Sequence, residues 1–67
     1  MFPSRLYSVD VFMTAIRPNV MGGTNVVVYR NGATYHVASY SSRQAARRAV
    51  ETGAALRRAL RTEGYRA

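Results

Sequence analysis

The chain has no cysteine, no lysine and no tryptophan, only three acidic residues, and no long apolar run. Each shortage excludes something. Without cysteine there is neither a disulfide framework nor a thiolate metal site, and nothing marks an oxidising compartment, so the cytoplasm is the default location. No segment approaches the roughly 18 apolar residues of a membrane-spanning helix. The opening "MFPSRLYSVDVFMTAIRP" has no basic lead before a clean apolar run and no small-residue cleavage site. A soluble protein with no membrane partner is expected. His36 is the one histidine, and the carboxylates Asp10, Glu51 and Glu63 are scattered, so spacing suggests neither an acid/base pair nor a metal site. The "MGGTN" loop lacks the glycine spacing and lysine of a phosphate-binding loop. Neither an enzyme nor a cofactor is expected.

What the chain has in excess is arginine. Ten basic residues, all Arg, stand against three acids and give a formal charge of +7 on 67 residues. A GC-rich coding sequence would exchange lysine for arginine, but it would not remove acids, so the imbalance points to an anionic partner. At this length residues 1–67 form a single domain whose core barely offsets the entropy of folding, which makes self-association as a homodimer an expectation.

The chain divides at "RPNVMGGTN" and "RNG". Residues 5–17 are rich in β-formers and alternate, with Val11, Met13 and Ala15 on one face and Asp10, Phe12 and Thr14 on the other. They read as a strand. A helix is the competing reading, because Phe2, Leu6, Val9, Met13 and Ile16 also follow helical spacing. Residues 25–40 read as a hairpin around Asn31-Gly32, a pair that specifies a two-residue type I′ turn. That turn sets Arg30 opposite Ala33, Tyr29 opposite Thr34, Val28 opposite Tyr35, Val27 opposite His36 and Val26 opposite Val37. Alternation then gives a core face of Val26, Val28, Tyr35 and Val37, and an outer face of Val27, Tyr29, Thr34, His36 and Ala38. Residues 42–62 read as one helix, with Ser41 or Ser42 as N-cap, Gly64 as terminator and an apolar stripe of Ala46, Ala49, Gly53, Leu56 and Leu60. Gly53 requires either close packing or a bend. The fold class is α+β: β-β-β-α, a three-stranded antiparallel sheet with one C-terminal helix on one face.

On a continuous helix Arg43, Arg47, Arg57, Arg58 and Arg61 share one flank, and Arg48 points elsewhere. Guanidinium groups repeated along a helix match phosphate oxygens and can follow a nucleic-acid backbone. Tyr29, Arg30, Thr34 and His36 on the outer face and tip of the hairpin are the candidates for a groove or for base contact, where sequence is read.

From Val26 to about Leu60, the segments "VVVYRNG", "YHVASY" and "YSSRQAARRA" resemble the arm-type DNA-binding domain of phage and transposon tyrosine integrases. That resemblance implies a three-stranded sheet on a C-terminal helix, with Tyr29, Arg30, Thr34 and His36 facing the groove. The helix start also resembles the end of a double-stranded RNA-binding domain, without its lysine pair. The expected function is a small basic nucleic-acid-binding protein, with DNA ahead of RNA. The alternative is a phage-type inhibitor or accessory protein-interaction module that docks on an acidic protein.

Overall fold

A type I′ turn needs positive φ at both central residues, and Asn31 (φ 52°) with Gly32 (φ 86°) supplies it. In the computed structural model, which describes residues 10–66, this turn joins β2 (Thr24–Arg30) to β3 (Ala33–Tyr40). β1 (Phe12–Pro18) pairs antiparallel with β2, giving the sheet order β1-β2-β3. Of the strand expected over residues 5–17, residues 12–17 are strand and Pro18 extends it by one; Asp10 and Val11 precede it, and the part before Asp10 lies outside the described residues. Asn31 also exchanges two hydrogen bonds with Val11: its N–H donates to the Val11 carbonyl at 2.8 Å, and its Oδ1 accepts from the Val11 N–H at 2.9 Å. The turn is thereby tied to the entry of β1.

The hairpin begins in the expected register and then leaves it. Arg30 faces Ala33 and Tyr29 faces Thr34, but Val28 faces His36, Val27 faces Val37 and Val26 faces Ala38. Tyr35 is an extra residue in β3, a β-bulge. Because side chains alternate, one inserted residue moves everything beyond it to the other face. Val37, expected in the core, is 50% exposed on the open side, while Ala38, expected outside, is buried. His36 likewise turns to the helix side, in the row of Thr14 and Val28.

The helical layer also departs from a single rod. α1 (Arg43–Glu51) is capped by Ser42, whose Oγ accepts from the Ala45 N–H at 3.1 Å, and α2 (Ala54–Thr62) follows after a break. The break is Gly53, at φ 79° in the left-handed region, a conformation in which a side chain is strained. So the architecture is β-β-β-α-α rather than β-β-β-α. The break resets the helical phase. Ala46 and Ala49 of α1 are buried as expected, but in α2 Ala55 and Ala59 are buried and Leu56 and Leu60 are only half-buried. Gly64 ends α2 as read, with the Tyr65 N–H donating back to the Leu60 carbonyl at 2.9 Å.

The core lies between sheet and helices. Val26 and Val28 of the central strand, each 1% exposed, meet the small side chains of the helices, with Ile16, Tyr40 and Val50 packed at the margin. Alanine at the contact lets α1 approach all three strands and α2 approach β2 and β3.

Two substitutions separate this fold from the simpler one. Gly53→Ala should destabilise by about 1–2 kcal/mol, because the left-handed residue acquires a Cβ, whereas in an unbroken helix it would stabilise by about 1 kcal/mol. The sign of the urea-midpoint change decides. In β3, Ala38→Leu should cost about 1–3 kcal/mol by overpacking, and Val37→Leu should stay within about 0.5 kcal/mol. The reverse ranking would restore the unbulged register.

Candidate nucleic-acid interface

The three acidic side chains determine how much positive charge is left over. Asp10 is spent at the open end of the sheet. Its Oδ2 accepts from Arg30 Nη2 at 2.8 Å and from the Tyr65 hydroxyl at 2.9 Å, and its Oδ1 accepts from Asn31 Nδ2 at 3.2 Å. The Arg30 guanidinium lies 5.2 Å from the Tyr65 ring centre and 5.8 Å from that of Tyr35. Phe12 meets both rings edge-on at 5.4 and 5.5 Å. This cluster ties the segment after α2 to β1 and to the hairpin. Hydrogen bonds from Arg30, then Tyr65, then Asn31 hold the Asp10 carboxyl below its ordinary value. The same carboxylate raises Arg30 and Tyr65.

Glu63 is the second acid used internally. Its Oε2 lies 2.9 Å from Nδ1 of His36, whose side chain is only 12% exposed. Among the described residues the Asp10–Arg30 ion pair and this Glu63–His36 contact are the only close acid–base pairs, and Glu51 is in neither.

The expected site residues therefore divide into three groups. Tyr29 and Thr34 are opposite each other on the open face of the sheet, as read. Arg30 and His36 are not on that face: β2 alternation turns Arg30 and the bulge turns His36 toward the helices, where Asp10 and Glu63 engage them. Arg43, Arg47, Arg57, Arg58 and Arg61 are all exposed on the helical layer. They do not form one flank of one helix, because Gly53 interrupts the phase between the first pair and the last three. Arg43 and Arg47 are one turn apart on α1, as are Arg57 and Arg61 on α2.

Arg48, which single-helix geometry sets apart, lines one shallow depression with Arg43, Gln44, Arg47 and Glu51. Arg43 also borders a hollow with Ile16, Pro18 and Thr24, placing it where α1 meets the edge of β1. Arg58 lies over the Tyr40 ring at 5.8 Å, which orients its guanidinium on the β3 side. On α1 Gln44 and Glu51 fill the arc between Arg47 and Arg48, which is how one depression takes in all three arginines.

The arginines and the Tyr29/Thr34 pair are on opposite sides of the sheet. No protein-family model, curated protein or solved structure matches the chain. No helix among the described residues is long and apolar enough to cross a membrane.

The Asp10 cluster has a pH signature. A carboxyl whose folded value is depressed contributes stability that is complete above its ordinary value, 3.8, and is lost as pH falls through the lower folded value. Urea midpoints at pH 7 and pH 3 should therefore fall further for the parent chain than for Asp10→Asn. Equal losses would mean that the cluster contributes nothing through charge.

Proposed function

We propose that this chain binds the phosphate backbone of a nucleic acid, duplex DNA first, through the arginines of its helical layer. The observation that carries the reading is the disposal of the acids. Asp10 pairs with Arg30, and Glu63 is engaged by His36 rather than by an arginine of the helices. Exposed Arg43, Arg47, Arg48, Arg57, Arg58 and Arg61 are left with Glu51 as the one acid on their helices. A planar guanidinium is suited to bidentate contact with phosphate, and several on one layer can track a charged backbone.

The same geometry argues for backbone contact without strong base preference. Phosphate contacts carry no sequence information, and the expected base-reading positions Tyr29 and Thr34 face away from the arginines. An integrase-like pose, with the open sheet face in the major groove, would bring Arg17 as the single charge on that face. It would leave the arginine-rich helices pointing away from the DNA.

The second reading is an acidic protein docked on these same arginines. Complementary charge would serve either partner, and nuclease treatment separates them. A partner protein retained after digestion supports the second.

Fluorescence anisotropy with a labelled duplex tests the first. Five phosphate contacts predict that affinity drops by a few hundred-fold between 50 and 200 mM salt, and Arg57→Ala/Arg61→Ala should reduce the logarithmic salt slope by about 2. No binding to duplex DNA or RNA at low salt would reject the proposal.

A further inference from the structure

The side of the sheet away from the helices carries three cross-strand rows. Met13, Tyr29 and Thr34 form the row nearest the hairpin turn; Ala15, Val27 and Val37 form the middle row; Arg17, Asn25 and Ser39 form the last. Six of these side chains lie in the first two rows, and five of the six are apolar or aromatic. Met13 is 65% and Val37 50% exposed, with no layer of this chain over them among the described residues. Meanwhile the covered side of the sheet buries no apolar side chain beyond valine size completely. The chain thus keeps a thin core on one side of its sheet and leaves apolar strand residues uncovered on the other.

We infer that this open face is the interface of a homodimer, with the sheets of two copies packed face to face about a two-fold axis. Charge decides the occupant. Arg17 is the only charged residue in the three rows, so a polyanion has little to hold there. A second copy offers the same face, apolar in its first two rows and with one charge in the third. Face-to-face packing sends the two arginine layers to the outside, separated by two sheets about 10 Å apart and by the helices beyond them. That distance exceeds the screening length of about 8 Å at physiological salt. The charge of +7 on each copy therefore does not oppose this contact, whereas it opposes any contact between helical layers.

Two in-plane axes are available. An axis along the strands, through β2, sets like rows against like but β1 against the partner's β3, so that Arg17 lies over the partner's Ser39. An axis across the strands, through the middle row, instead sets Arg17 against the partner's Met13, beside the partner's Tyr29. It keeps Ala15, Val27 and Val37 self-packed at the centre, as a self-complementary two-fold contact requires. Neither arrangement sets Arg17 against the partner's Arg17, and both place Val27 on the two-fold axis.

The size of the face sets the strength. Three strands of about seven residues offer roughly 14 by 24 Å, near 350 Å² in projection. This is below the ~800 Å² per partner of stable complexes. The dimer is weak, with dissociation expected between about 1 and 100 μM.

Sedimentation of the nuclease-treated full chain, from 1 to 500 μM in 300 mM salt, tests this independently of any nucleic acid. The expected result is a mass that doubles across the series. Val37→Glu should hold the chain as a monomer to the top concentration. Thr34→Glu, at an exposed site near the turn, should raise the dissociation constant at least tenfold, and Arg48→Glu on the helical side should leave it unchanged. Circular dichroism establishes that each variant is folded. A parent chain monomeric at 500 μM overturns the inference. So does a dimer that folded Val37→Glu and Thr34→Glu leave intact, which would place the contact at a strand edge. If Val37→Glu does not fold, Thr34→Glu alone decides.

Discussion

One inserted residue in β3 determines which residues this molecule covers and which it presents. The Asn31-Gly32 turn would otherwise impose strict alternation through Tyr40. With Tyr35 bulged out of the ladder, His36, Ala38 and Tyr40 face the helices and Val37 faces away. The bulge also gives the neighbouring groups their partners. His36 reaches Glu63 at the C-terminal end of α2, and Tyr35 becomes part of the ring cluster around Arg30 and Phe12. Without it, His36 would lie in the open and Val37 would meet helices whose sheet-facing residues are already packed close.

That placement governs the electrostatics as much as the packing. Few acids are available, and the fold uses two of them to hold its own end segments: Asp10 fastens the hairpin and Tyr65 to β1, and Glu63 fastens α2 to β3. Both carboxylates are held against the sheet rather than against the helical arginines. Partly exposed pairs of this kind contribute little stability by themselves. Their larger consequence is an arginine layer left uncompensated.

Much of this was legible in the sequence, and the remainder has identifiable causes. The strand within residues 12–18, the turn at Asn31-Gly32, the Ser42 cap and the Gly64 stop follow from local chemistry that a short window contains. So does burial of Val26, Val28, Ala46 and Ala49. The bulge does not. Thr34, Tyr35, His36 and Val37 suit either register locally, and the contacts that favour one, Glu63 for His36 and Phe12 for Tyr35, are distant in sequence. Gly53 was visible as a cost, but Leu56 and Leu60 continue the Ala46/Ala49 stripe at helical spacing, so the pattern fits an unbroken helix. Only close packing against the sheet favours Ala55 and Ala59 instead. The candidate site inherits both: the bulge takes His36 off the outer face, and Gly53 divides the five-arginine flank between two helices.

The division into two surfaces constrains any account of function more than the arginines do by themselves. A protein that reads base edges needs its discriminating side chains and its phosphate anchors on one side, so that docking on the backbone delivers the first group to the groove. Here the sheet stands between them. Tyr29 and Thr34 cannot approach the bases of a duplex that the α1 and α2 arginines hold. The helical layer is thus equipped for charge recognition alone. The sheet face, with Arg17 as the one charge in its three rows, is suited to a mainly apolar contact, and neither surface obstructs the other.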